Sequence, residues 1–202
     1  MTVAVEFHYD FGSPNTYFCH RVIPEIEERT GVKFKYVPIL LGGVFKTTNN
    51  KSPMEQFAGV TNKNEYQSLE IARFIKKHKL DKYARNPNFP VNTLHLMRGA
   101  CYASGKDWEA DYIEAMYQCM WEKGLAMGDP AVIVAALKEY DLPAEEIVEA
   151  TQDPAVKQIL IDNTTATVER GSFGSPTFYV GDEIFFGKDR LRDVEEEILA
   201  QQ

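Results

Sequence analysis

Cysteine is scarce in this chain: Cys19, Cys101 and Cys119 are the only three in 202 residues, and no two form a Cys-x-x-Cys pair. An odd, widely spaced set argues against a disulfide framework and suits a reducing compartment. The three thiols are expected to pack in the core. An excess of basic charge is also missing. The 30 acidic and 22 basic residues leave a formal charge of -8, and no Lys/Arg stripe could neutralise successive phosphates. Nucleic acid and anionic membranes are therefore poor partners. No stretch approaches the ~20 apolar residues of a membrane span, and Met1-Thr-Val-Ala-Val-Glu6 lacks the basic and apolar pattern of a leader. The expected location is the cytoplasm. Internal repeats and low-complexity segments are absent too, which leaves a chain of 44% hydrophobic residues, enough to bury a substantial core.

What the chain does have is one hydroxyl at a junction. Val3 to Tyr9 is β-branched and aromatic enough for a buried strand. In Asp10-Phe-Gly-Ser-Pro14, Ser13 stands at an N-cap with Pro14 at the first helical position. A helix start leaves N–H groups without partners and carries partial positive charge, so an anion beside Ser13 is favoured. The simpler role for such a serine is to cap its own helix. That helix runs to about Thr30, with a kink expected at Pro24, which has no N–H to give the His20 carbonyl. Gly31 ends it, and Val32 to Ile39 reads as a second strand, parallel to the first through a right-handed crossover.

From Leu40 the pattern changes to a polar loop through Gly42-Gly43, Thr47-Thr-Asn-Asn50 and Pro53. Helical patterns follow at Asn64–Lys79, Thr93–Ser104, Asp107–Lys123, Pro130–Tyr140, Pro143–Ala150 and Pro154–Arg170. Pro87 and Pro90 make the connector before Val91 irregular. Thr177–Val180 and Glu183–Phe186 are strands around a Gly181-Asp182 hairpin turn, and an amphipathic helix ends the chain. A βαβ start and a ββα end, with helices between, give an α/β fold: a thioredoxin-like sheet carrying an inserted all-α subdomain. The expected division is 1–40 and 154–202 for the sheet domain and 41–153 for the insertion.

The segments Tyr9-Asp-Phe-Gly-Ser-Pro-Asn-Thr-Tyr17, Leu41-Gly-Gly-Val-Phe-Lys46, Asn50-Lys-Ser-Pro53, Phe173-Gly-Ser-Pro-Thr-Phe178 and Phe186-Gly-Lys-Asp-Arg-Leu191 occur in this order. Together they resemble the DsbA-like family of 2-hydroxychromene-2-carboxylate isomerases and kappa-class glutathione transferases, nearly end to end. The resemblance implies glutathione as cosubstrate, with Ser13 in place of the first cysteine of a redox pair and Thr16 in place of the second. Without either thiol, the site exchanges no disulfide of its own. The reactive sulfur is brought by glutathione, and Ser13 donates to its thiolate.

The resemblance further implies that Ser175 and a cis Pro176 pair with the cysteinyl part of glutathione, that Asn50 holds it near the serine, and that Lys188 and Asp189 meet its γ-glutamyl end. Lys188 departs from the serine that family members often carry there. Taken without the resemblance, Asn50 is a turn residue and Asp189 a helix cap. Phe45, Lys46 and Phe89 are candidates to line a small aromatic or electrophilic substrate, although Phe45 and Phe89 also suit interdomain packing. Lys46, Arg85 and Arg98 are open choices for a cation facing a substrate carboxylate. His20 shares the helix of Ser13, as a packed side chain or as a base. No metal is expected, and the family implies a homodimer. The expected function is a glutathione-dependent isomerase. The alternatives are a kappa-class-like transferase or peroxidase, and a non-catalytic glutathione- or peptide-binding module.

Overall fold

In the computed structural model, which describes residues 3–202, the β-branched and aromatic runs form one four-stranded sheet. Its strands are β1 (Val5–Tyr9), β2 (Phe34–Pro38), β3 (Thr177–Val180) and β4 (Glu183–Phe186), in the order β2-β1-β3-β4. β2 is parallel to β1, β3 is antiparallel to β1, and β4 is antiparallel to β3. Phe7 shows why these segments are strands: it is fully buried, its ring 5.1 Å from that of Phe178 and 5.0 Å from that of Tyr36 on the flanking strands.

α1 (Pro14–Thr30) is the crossover between β1 and β2 and continues through Pro24. Gly31, at φ +70°, closes it in the left-handed conformation, its N–H bonded to the Glu27 carbonyl at 2.8 Å. Between β2 and β3 lie α2 (Leu41–Thr48), α3 (Pro53–Gln56), α4 (Lys63–His78), α5 (Leu94–Ala103), α6 (Glu109–Trp121), α7 (Pro130–Glu139), α8 (Ala144–Ala150) and α9 (Pro154–Glu169). A 3₁₀ turn, Lys188–Arg190, precedes α10 (Leu191–Ala200). One apolar core joins the sheet and α1 to α5 and α6.

α2 and α3 correct the sequence reading, which made Leu40 to Pro53 a polar loop. Local propensity disfavours a helix starting Leu-Gly-Gly, but tertiary contacts override it. The Leu41 N–H is bonded to the Asp10 carboxylate at 2.8 Å and the Leu40 N–H to Thr164 on α9 at 2.9 Å. A Cβ on Gly43 would stand 3.0 Å from the Thr164 methyl, so glycine lets α2 lie close against α9. Thr47 and Thr48 bond back to the Gly43 and Val44 carbonyls at 3.0 and 2.8 Å instead of leaving the helix.

Candidate active site

The loop from β1 into α1 is held from three sides. Asp10 is buried, and its Oδ1 accepts from the Gly12 N–H at 2.8 Å and from the Thr93 hydroxyl at 2.7 Å. Its Oδ2 accepts from Leu41 N–H, so one carboxylate fastens the loop to the starts of α2 and α5. Burial pushes the Asp10 carboxyl upward in pKa, against the lowering effect of these bonds. The Phe11 carbonyl accepts from the Trp121 indole N–H at 2.8 Å, and its N–H points to the Met97 sulfur at 3.4 Å. Thr16 is fully buried, its hydroxyl 2.8 Å from the Asp10 carbonyl and 2.7 Å from the Ser13 carbonyl.

Ser13 has the extended backbone of an N-cap, φ -98° and ψ 120°, but its hydroxyl caps nothing. It donates instead to the Ser175 carbonyl, at 3.3 Å. That is long for an O–H···O bond, whose usual length is about 2.7–2.8 Å. Pro14 offers no N–H, and the Asn15 N–H has no acceptor among the described residues. The first turn of α1 therefore presents one hydroxyl and one free backbone donor at its positive end.

Ser175 and Pro176 lie just past the β1–β3 pairing, which ends at His8 opposite Thr177. Their peptide bond is cis. The Ser175 hydroxyl donates to the His8 carbonyl at 3.1 Å, which fixes the turn against the end of β1. The Ser175 N–H has no acceptor among the described residues. Asn50, beyond the C-terminal end of α2, donates its amide to the Phe173 carbonyl at 2.8 Å, so it braces the segment leading to Ser175. The exposed Phe173 and Phe186 rings stand 4.5 Å apart.

Lys188 and Asp189 sit further along. The Gly187 N–H bonds to the Pro176 carbonyl at 3.0 Å, which carries the chain from the cis turn directly to Lys188. The Lys188 side chain is buried, its ammonium 2.5 Å from Asp189 Oδ1 and 5.0 Å from the centre of the Phe74 ring on α4. Both residues line a groove of ≈ 540 Å³ between α1, α4 and α10, a mixed surface where Arg29 pairs with Glu195 and Arg73 with Glu70 beside Lys77. Ser13 and Ser175 do not line that groove. Asp189 lies in the 3₁₀ turn ahead of α10, not at its cap.

The remaining candidates are dispersed. Phe45 is half-buried and Lys46 exposed on α2. Phe89 packs on Trp121, ring centres 5.8 Å apart, as part of the core's edge. His20 is a packed histidine: its ring nitrogens meet Tyr36 and Glu114, each at 2.9 Å, and its ring stacks on Tyr117 at 4.7 Å. With both nitrogens engaged, it is not placed as a base for Ser13. The cysteines are buried and free. Burial pushes Cys101 up to about 12, Cys119 up to about 11, and Cys19 well above the usual thiol value, so none is a poised thiolate.

Sequence reasoning missed Asp10, Thr93 and Trp121, the residues that hold the serine in place. An Asp two residues before a glycine after a strand signals an Asx turn. Its distant partners at Leu41 and Thr93 leave no local trace.

The chain is similar along its length to known proteins. It is 27% identical over 201 residues to a 2-hydroxychromene-2-carboxylate isomerase of Sphingobium xenophagum, covering 98% of this chain and 100% of the relative. It is 26% identical over 201 residues to glutathione S-transferase kappa 1 of Caenorhabditis elegans, covering 93% and 87%. A solved 2-hydroxychromene-2-carboxylate isomerase superimposes with a TM-score of 0.84 at 22% identity, over 98% of this chain and 95% of that one. The model of the DSBA-like thioredoxin domain matches residues 4–199, and the chain belongs to that family.

Proposed function

We propose that this protein is a glutathione-dependent isomerase of the 2-hydroxychromene-2-carboxylate type. The observation that carries this reading is a serine hydroxyl at a helix N-terminus that caps nothing and faces the Ser175-Pro176 turn. The family resemblance supplies glutathione, and the donors present fit it. Ser175 offers its N–H and carbonyl to an extended peptide in the manner of an added strand, while Ser13 and the Asn15 N–H remain for a charged sulfur. Bound glutathione supplies a thiol that, as thiolate, adds reversibly to an unsaturated carbon and leaves again after the bond has rotated. Ser13 gives up its long bond to Ser175 and donates to that charge, which the positive end of α1 also favours. Ser13 is not itself the nucleophile, because no base is placed to take its proton. Asn50 keeps the turn in position. Lys188 and Asp189 hold the far end of the tripeptide in the α1–α4–α10 groove, and Phe45 and Lys46 on α2 border the substrate.

The test is calorimetry with reduced glutathione, together with turnover of a chromene carboxylate. Ser13→Ala is expected to lower turnover about 10²–10³-fold, the range for losing one donor to a developing anion, with glutathione affinity changed far less. A folded protein that binds no glutathione at millimolar concentration, or a variant in which both quantities fall equally, refutes the proposal. The relatives named kappa-class transferases give a second reading, in which the same thiolate attacks an electrophile and leaves as a conjugate. Consumption of glutathione with an aryl halide, without chromene isomerisation, selects it.

A further inference from the structure

A second cavity, of ≈ 230 Å³, lies between α2, α5 and α9. Leu40, Leu94, Leu160 and Ile161 make its apolar walls, and Arg98 and Lys157 bring two cations to it. Not one carboxylate lines it, in a chain where acids outnumber bases 30 to 22. Neither Ser13 nor Asn50, Ser175 or Asp189 takes part.

Arg98 is the unusual member. Most arginines of this chain meet a carboxylate, as Arg21, Arg29 and Arg170 do. Arg98 has instead one long contact, from Nη1 to the Thr151 carbonyl at 3.4 Å, and its buried Nε has no acceptor among the described residues. A buried guanidinium that pairs with no carboxylate keeps its charge uncompensated by the protein, which an anion in the cavity would relieve. Of the three lining hydroxyls, Thr47 donates to Gly43 and Thr164 donates to Leu160 while accepting from Leu40, which leaves the neutral Thr165 on the exposed edge. Charge recognition at the cavity therefore falls to Arg98 and Lys157.

We infer that this cavity binds a small amphipathic carboxylate, its anionic group on Arg98 and Lys157 and its apolar body against the leucine and isoleucine walls. Arginine favours a planar, bidentate acceptor, which a carboxylate is. The size agrees, since an apolar cavity of ~150 Å³ accommodates benzene, and this one has room for a substituted ring with its carboxylate. Inorganic phosphate makes no use of the apolar walls and is the weaker ligand. The site adjoins the Ser13 loop through the chain, because Leu40 and Leu94 each precede or follow a residue bonded to the Asp10 carboxylate. It is nonetheless separate from Ser13 and the Ser175-Pro176 turn, neither of which lines it.

The experiment is calorimetric titration with 4-tert-butylbenzoate, with 4-tert-butylbenzyl alcohol and inorganic phosphate as controls. The wild type is expected to bind one benzoate per chain. Arg98→Met and Lys157→Met should each weaken it at least tenfold, while Ser13→Ala and millimolar glutathione leave it unchanged. The alcohol and phosphate should bind at least tenfold more weakly than the benzoate. Circular dichroism checks the fold; if Arg98→Met is unfolded, Lys157→Met on the half-buried rim decides alone. Absence of saturable binding at millimolar benzoate overturns the inference, as does undiminished binding in a folded variant. Phosphate binding as tightly as benzoate overturns the amphipathic ligand. Competition by glutathione, or loss in Ser13→Ala, moves the ligand to the Ser13–Ser175 contact and overturns the separate site.

Discussion

Asp10→Asn tests whether a buried carboxylate sets the position of Ser13. The wild-type side chain accepts three hydrogen bonds, from the Gly12 N–H, the Thr93 hydroxyl and the Leu41 N–H, all within 2.7–2.8 Å. Asparagine keeps its oxygen for Gly12 and Thr93, but its amide nitrogen then faces the Leu41 N–H, donor against donor. An unsatisfied buried donor costs about 1–3 kcal/mol. Part of this is recovered, because the neutral amide is easier to bury than the carboxylate, whose pKa burial already raises. The net loss is about 1–2 kcal/mol, a sizeable share of the ~5–15 kcal/mol that holds a domain folded. Urea denaturation of both proteins measures it. Because the amide loosens the start of α2 as well as the loop, turnover should fall with glutathione affinity, unlike the split expected for Ser13→Ala. Thr93→Val removes one donor and should show a double-mutant coupling of at least ~0.5 kcal/mol with Asp10→Asn. Unchanged stability, or strict additivity of the pair, refutes the role given to Asp10.

Trp121→Phe leaves the buried Phe11 carbonyl without its indole donor at 2.8 Å and should cost about 1–3 kcal/mol in a denaturant titration; an unchanged midpoint and slope would contradict this. Acid should weaken the α1–α6 contact in two stages. Burial lowers the pKa of His20 below 6.5, so the unfolded chain takes up that proton first and stability declines as pH falls below 6.5. Glu114 is held at about 2 by its hydrogen bond to His20, and by Arg21 and Gln118, against an ordinary 4.5. Its contribution is present above pH 4.5 and is lost as pH falls from there toward 2. Its side chain is 36% exposed, and solvent screening reduces the contribution to about 1 kcal/mol. Thermal melts across this range should show the second stage missing in Glu114→Gln; a retained second stage would assign it elsewhere.

Legibility in the sequence followed the range of the interaction. β3 and β4 were readable to the residue because short aromatic and β-branched runs around a Gly-Asp turn are local signals, and the DsbA-like order of motifs set Ser13 beside Ser175, 162 residues along the chain. α2 was illegible because its causes lie on α9 and at Asp10, outside any window around Gly42 and Gly43. Phe89 shows the converse: an aromatic in a proline-flanked connector reads equally well as a substrate contact or as packing, and only the Trp121 ring beneath it tells where it rests.

The same division of range bears on the role proposed for Ser13. Around it, the loop's hydrogen bonds to Asp10, Phe11 and Thr16 are short and reach into three helices, so the backbone of Ser13 has little freedom. Its hydroxyl makes the one long contact in the set, 3.3 Å to a carbonyl on the opposite wall. A ligand that takes this hydroxyl and that carbonyl breaks a single weak bond and leaves the scaffold intact. A capping hydroxyl accepts the helix N–H through its oxygen and keeps its proton to give; Ser13 makes no cap bond, so only its weak donation to Ser175 is exchanged for the ligand. Thr16 satisfies its own hydroxyl on the loop carbonyls, so the end of α1 is secured by the fourth residue of the motif while the hydroxyl of the first is held by one weak bond.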